Sequence, residues 1–171
     1  MCGKGRLVGK TTIAQAVSAL LQRDGLSHTF IDVDALTCTY PRPSNDPFNS
    51  DLALDCLSSI WAKCHQRGSR NLIIARVVEN QGEVEDVARA TGLPSLTVCR
   101  LTAPQDTLLA RIRARAAGSN IAWQEERAIQ LAESLKTAGI EEVVVATEGR
   151  TPADIAQVVG SMVPWVGRPR G

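Results

Sequence analysis

A Gly9-Lys10-Thr11-Thr12 run opens directly into a helical pattern, and those residue types at that place have a definite chemistry. Backbone N–H groups at a helix start have no partner inside the helix and face outward, where an anion can meet them. Gly9 permits close approach of the backbone, the Lys10 ammonium can reach the outer oxygens of a phosphate chain, and the Thr11 hydroxyl can ligate magnesium. Downstream, Ile31-Asp32-Val33-Asp34 ends a short β-rich run. Alternation along a strand puts Asp32 and Asp34 on the same side. Carboxylates at the carboxyl end of a parallel strand stand where open α/β sheets bind ligands. A third group is Arg111, Arg113 and Arg115 in LLARIRARAAG, of which Arg111 and Arg115 are one helical turn apart and share a face. Each pattern also has a plainer explanation. These are a Gly-rich tail before an ordinary helix, a helix cap or turn built on D-x-D, and a solvated basic helix face paired with Glu125 and Glu126.

The elements that must position these groups alternate between helix and strand. Thr11 to Gln22 carries Ile13, Val17, Leu20 and Leu21 on one face and is stopped by Gly25, which predicts a helix. A strand is expected over His28 to Val33, and a loop over the Pro- and Asn-rich stretch Pro41 to Asp51. From Leu52 a helical stripe of Ala53, Cys56, Leu57, Ile60, Trp61 and Cys64 runs to Gly68. Asn71 to Val78 reads as a buried strand, and Glu83 to Ala90 as a helix. A strand over Ser95 to Leu101 leads into an Arg- and Leu-rich helix from Pro104, and another helix follows Ala122. Glu142 to Ala146 is the last strand, and Thr151-Pro152 opens the last helix, with Pro where a missing N–H costs nothing. Strands separated by helix-length segments pair in parallel through right-handed crossovers. The expected fold is α/β, a three-layer sandwich with a mainly parallel sheet. A single domain is expected over 1–163, with a loose tail over 164–171.

The Gly-rich segment from Gly3 to Thr12 resembles the Walker A loop of P-loop NTPases, with Gly5, Gly9, Lys10, Thr11 and Thr12 as the phosphate-binding residues. Its spacing departs from the usual one: Lys4, flanked by Gly3 and Gly5, stands where a glycine is normal. Only Met1 and Cys2 precede the glycines, so the strand that normally leads into such a loop is expected to be truncated or irregular. With the D-x-D about twenty residues on, the chain resembles the P-loop small-molecule kinases, a group including shikimate, gluconate and adenylylsulfate kinases and antibiotic phosphotransferases. The resemblance follows element order over most of the chain, while only GKTT and DVD are specific to it. It implies a nucleotide-kinase-like fold and ATP- and magnesium-dependent transfer of a γ-phosphoryl group to a hydroxyl of a small metabolite. It also implies roles. Asp34 would be the base or orienting group for the acceptor, Asp32 with Thr11 would serve the metal, and Arg111 and Arg115 would lie on a lid near 110–127 that closes over the phosphates.

Gly118-Ser119-Asn120 would be the hinge of that lid, and Gly149 and Arg150, in the loop after the last strand, would border the nucleotide base. The acceptor would be chosen by Thr37 to Asp51 and the neighbourhood of Arg76 and Glu79. Arg42, Arg100 and Arg127 have no assigned role. The adenylylsulfate-kinase acceptor motif is not visible, and NLIIARVVEN lacks the Asp of a Walker B strand, which speaks against a motor or AAA-type ATPase. Two alternatives stay open: a regulatory or catalytically impaired ATP-binding protein, and a nucleoside or nucleotide kinase.

Composition narrows the remaining classes. The chain has 171 residues, 44% apolar and 22% charged, as soluble globular proteins with a real core do. Net charge is +1, which provides no general attraction to nucleic acid or an anionic membrane. The basic residues are 15 Arg and only 4 Lys, and Arg is the side chain suited to forked contacts with phosphate. No apolar run approaches the roughly 20 residues of a membrane span, and the polar N-terminus is unlike a secretory signal. Five Cys at irregular spacing, with no CxxC, fit a reducing cytoplasm. Cys56, Cys64 and His65 suggest a metal site less than an apolar helix face. Trp61, Trp123 and Trp165 are expected in core or lid packing. The expected partner is a small-molecule acceptor, with neither nucleic acid nor membrane, for a monomer or homodimer.

Overall fold

The structure, a computed structural model, describes residues 9–37, 39–41, 43–46, 48–115 and 120–167, without the side chain of Arg115. Gly5, Arg42, Gly118 and Ser119 therefore lie outside the described residues.

Helix α1 spans Lys10–Arg23, and its apolar positions Ile13, Ala14, Val17, Leu20 and Leu21 fall on one buried stripe. It is preceded by Gly9 at φ 79°, a left-handed conformation that a side chain would strain. Strand β1 is His28–Asp32, followed by a tight 3-10 turn over Val33–Ala35. Helix α2, Ser50–Gln66, buries Ala53, Leu57 and Trp61. Its first turn is capped from upstream, because the Asp46 carboxylate accepts from the Ser50 and Asp51 N–H groups at 2.6 and 3.0 Å. Strand β2 (Asn71–Ala75), helix α3 (Gln81–Thr91), strand β3 (Cys99–Thr102), helices α4 (Gln105–Arg115) and α5 (Ile121–Ala138), strand β4 (Val143–Ala146) and helix α6 (Pro152–Met162) complete the order.

Strands β1 and β2 pair in parallel, with Asp32 opposite Ala75, and β3 and β4 pair in parallel, with Thr102 opposite Ala146. The chain is thus α/β with parallel pairing, as expected. Among the described residues, however, the four strands form two separate two-stranded sheets rather than one. They share a core all the same: Ile73 and Ala75 of β2 and Val143 and Val145 of β4 pack with α1 and with Ile155, Ala156 and Val159 of α6. Alternate β2 residues, Leu72 and Ile74, turn the other way, toward Leu57 of α2 and Val87 of α3. β2 therefore carries helices on both faces. Leu21 and Leu57 are wholly buried, worth about 1.5–3 kcal/mol each in removal from water.

All four strands are shorter than the sequence suggests, β1 and β4 by one residue and β2 and β3 by more. β2 ends at Ala75 instead of Val78, because its neighbour β1 turns into the 3-10 segment after Asp32 and offers no further backbone to pair. β3 begins at Cys99 instead of Ser95. Its approach is held by single contacts, such as the Val98 N–H donating to the Glu142 carboxylate at 2.6 Å. The expected loose tail is tied down at its start: the Trp165 indole N–H donates to the Gly160 carbonyl at 3.2 Å. The Asn71 amide accepts from the Val166 N–H at 2.8 Å and donates to its carbonyl at 3.0 Å. Trp61 is core, whereas Trp123 is 59% exposed on α5. No helix among the described residues is long and apolar enough to cross a membrane.

Candidate active site

Helix α1 and strand β1 meet at the end where the chain enters the helix, and their polar side chains interlock there. The Thr11 hydroxyl donates to Oδ2 of Asp32 at 2.7 Å, and Lys10 Nζ stands 3.4 Å from Oδ2 of Asp34. The local reasons are simple. Lys10 and Thr11 occupy the first turn of α1, pinned by the Ile13 N–H bonding to the Gly9 carbonyl at 2.9 Å. Asp32 is the last residue of β1, while Asp34 follows it on the 3-10 turn, which bends the chain so that both carboxylates stay beside α1. The two pairs join segments more than twenty residues apart in the chain.

The electrostatics distinguish Asp34. Burial pushes its carboxyl above the ordinary carboxylate range, and the Asp32 charge adds to this. The Lys10 ammonium, by attraction and hydrogen bonding, and the Arg76 guanidinium pull the other way without reversing it. A half-buried carboxylate with a raised pKa beside a lysine is the kind of group that takes up a proton in catalysis. Arg76, the residue after β2, belongs to this field, and its Nη1 is buried without a hydrogen-bond partner among the described residues. From the sequence Arg76 is expected near the acceptor, not in the field of Asp34. The signal available was its place immediately after Ala75, on the strand adjoining the one that ends in Asp32.

Thr11 Oγ1 and Asp32 Oδ2 are two hard oxygen donors within reach of one another, which fits magnesium. That ion commonly takes one or two protein oxygens and completes its shell with phosphate and water. Among the described residues there is no cluster of three or more His, Cys, Asp or Glu of the kind that holds a metal entirely by protein ligands. Thr12 lies exposed on the same first turn as Lys10.

The other expected residues lie elsewhere. Arg111 of α4 donates from Nη1 to the Thr147 hydroxyl at 3.2 Å, and that hydroxyl donates to the Thr102 carbonyl at 3.0 Å. Arg111 is thereby anchored at the carboxyl ends of β3 and β4. Arg115 is the last residue of α4. Arg113 is taken up by Glu125 at 2.6 Å, a surface pair on a solvated basic helix face. Gly149, at φ 65°, forms the turn after β4, and Arg150 is exposed beside Asp154, whose carboxyl it helps to hold below the usual range after the Thr151 hydrogen bonds. Glu79, expected near the acceptor, pairs with Arg127 at 2.8 Å. Arg100 is paired with Glu141 at 2.6 Å.

The fold and site together define an α/β protein with a lysine, a hydroxyl and two carboxylates gathered at a helix start. No protein-family model matches the chain, and no curated protein matches it significantly.

Proposed function

We propose that the chain is an ATP- and magnesium-dependent kinase that transfers the γ-phosphoryl group to a hydroxyl of a small metabolite. The observation that carries this reading is the pairing of Lys10 with Asp34 and of Thr11 with Asp32 across α1 and β1. Phosphoryl transfer needs a held phosphate chain, a metal and an oriented nucleophile, and these four side chains supply groups for each. The GKTT segment supports membership of the P-loop nucleotide-kinase fold, a three-layer α/β sandwich, working in the cytoplasm as monomer or homodimer.

In this reading the N–H groups at the start of α1 and the Lys10 ammonium bind the β- and γ-phosphates. Thr11 and Asp32 would hold magnesium, which neutralises charge on the phosphate oxygens. Asp34 orients the acceptor hydroxyl and accepts its proton as the acceptor oxygen bonds to the γ-phosphorus and the bond to the β-phosphate oxygen breaks, releasing ADP. The raised proton affinity of Asp34 suits this task. Arg111, Arg115, Gly149 and Arg150 belong to the nucleotide's far side in the same reading, and Arg76 lies on the acceptor side of Asp34.

Calorimetric titration with ATP and magnesium tests the binding half: the parent chain binds, and Lys10→Ala weakens binding at least about tenfold. A mass-spectrometric screen of small hydroxylated metabolites with ATP tests the transfer half through a phosphorylated product. Absence of ATP binding by the parent chain overturns the proposal. The second reading, a regulatory ATP-binding protein without transfer, is favoured by the division of the strands into two sheets. Binding with no product across the acceptor panel selects it. A nucleoside or nucleotide kinase differs only in which acceptor is phosphorylated.

A further inference from the structure

Arg76 is the first residue past β2, and the register of that strand fixes its surroundings. Asp32 stands opposite Ala75, so Arg76 leaves the pair beside Val33, the residue before Asp34. Its charge is felt at the Asp34 carboxyl, and with Lys10 it lines one cavity of about 450 Å³. The residue is half-buried, with Nη1 buried and unpartnered among the described residues. The other half-buried arginines whose side chains are described are all engaged: Arg100 by Glu141, Arg127 by Glu79 and Arg111 by the Thr147 hydroxyl. A guanidinium is always charged and carries five N–H donors in a planar fork that matches phosphate oxygens. A buried donor left unmatched is costly unless a ligand meets it. The sign of the charge matters as well. At the end of NLIIARVVEN a cation stands where a Walker B strand would carry an Asp, and a cation there attracts phosphate oxygens instead of a metal ion.

We propose, resting on the kinase reading, that Arg76 is a catalytic residue that grips the transferring γ-phosphoryl group, supplying from the end of β2 a cation expected of the lid. Lys10 and Asp34 stand 3.4 Å apart, the first read as binding the γ-phosphate and the second as taking the acceptor's proton. The transferring group then passes beside both, in reach of the cavity that Lys10 and Arg76 line together. As the acceptor oxygen bonds to the γ-phosphorus and the bond to the β-phosphate oxygen breaks, negative charge spreads over the equatorial oxygens. Arg76 donates to those oxygens and stays protonated throughout, while the acceptor proton goes to Asp34 and ADP leaves. A cation already in place stabilises that charge without reorganising at the moment of transfer. Arg111 and Arg113 would have to leave Thr147 and Glu125 to reach the same oxygens. Arg76 Nη1 has no hydrogen bond among the described residues to give up.

The test needs no acceptor, because ADP with magnesium and aluminium fluoride imitates the transferring phosphoryl group. Calorimetric titration compares ADP and magnesium, with and without aluminium fluoride, on the parent chain, Arg76→Gln and Arg76→Lys. Arg76→Gln is expected to keep the parent's ADP affinity and to weaken the fluoride complex at least about tenfold, with Arg76→Lys between the two. Retained ADP affinity also shows that the variant is folded. A second measurement uses the parent alone. Modification of Arg76 by phenylglyoxal, followed by peptide mass spectrometry, is expected to slow when the fluoride complex forms but not with ADP alone, while the exposed Arg150 reacts alike in both. An unaltered fluoride complex in Arg76→Gln, equal weakening of ADP, or no protection of Arg76 in the parent overturns the proposal. Binding of ATP by the parent in those cases leaves the kinase reading standing, whereas a parent that binds no nucleotide overturns both.

Discussion

The β1–β2 half and the β3–β4 half are built alike, each a parallel pair with polar groups at its carboxyl ends, yet they hold their charges differently. In the first half, Lys10 and Thr11 of α1 reach across to Asp34 and Asp32, and burial raises the carboxyl of Asp34 while the Arg76 charge opposes the rise. In the second half, Arg111 binds a neutral hydroxyl, and Arg100 and Arg113 are matched one-to-one by Glu141 and Glu125. The exposed Arg113–Glu125 match contributes little, and Arg100 is neutralised by a buried Glu141, whereas a half-buried carboxylate held above its ordinary range is a poised group. The comparison places the buried, mutually interacting charges at the junction of α1 with β1. An abundance of arginine on one helix does not by itself mark a phosphate site.

The largest expected effect breaks the first half. Asp34→Asn keeps the size of the side chain and removes the base, and is expected to lower phosphoryl transfer by about 10²–10⁴-fold with ATP affinity little changed, as initial rates and titration would measure. Unchanged transfer would take Asp34 out of the mechanism. Next in size, Arg111→Ala is expected to slow transfer about tenfold, while Arg113→Ala leaves it unaltered. Equal losses from both would make the helix a charged surface acting as a whole.

A pH series sharpens the contrast further. The folded chain holds the Asp34 proton at pH values where the unfolded chain has already released it. Stability from this group is therefore fully present below the ordinary carboxylate pKa of 3.8 and is lost as pH rises through the higher folded value. Denaturant melts of parent and Asp34→Asn should accordingly favour the variant more above that window than below it. A difference independent of pH would remove the raised pKa from the account. The smallest effect is structural: Asn80→Ala removes the oxygen that accepts from the Glu83 N–H at 3.0 Å at the start of α3, and should cost about 1 kcal/mol in the same melts.

Much of this was legible in residue order. Ile13, Val17, Leu20 and Leu21 at helical spacing, and Gly25 after them, defined α1 to within a residue or two, because a stripe of that period can be buried in only one way. The GKTT and D-x-D segments named Lys10, Thr11, Asp32 and Asp34, all four of which the fold brings together. Arg76 was expected only in the neighbourhood of the acceptor, since its influence on Asp34 depends on β2 lying beside β1, and pairing between strands is not written in either strand alone. The lid arginines shared a helical period, but whether each met a phosphate or a glutamate depended on which helix packed opposite.

By itself, then, the sequence determined the α/β class, the order of elements and the identity of the polar residues at the start of α1 and the end of β1. Those follow from local rules: periodicity of burial, caps, and the few residue types able to handle an anion or a proton. Only the tertiary structure decided which carboxylate is buried against which cation, that Arg113 is taken by Glu125 while Arg111 goes to Thr147, and that the four strands among the described residues stand as two pairs. These depend on distances of a few ångströms between segments remote in the chain, where burial and competition among neighbouring charges decide the outcome.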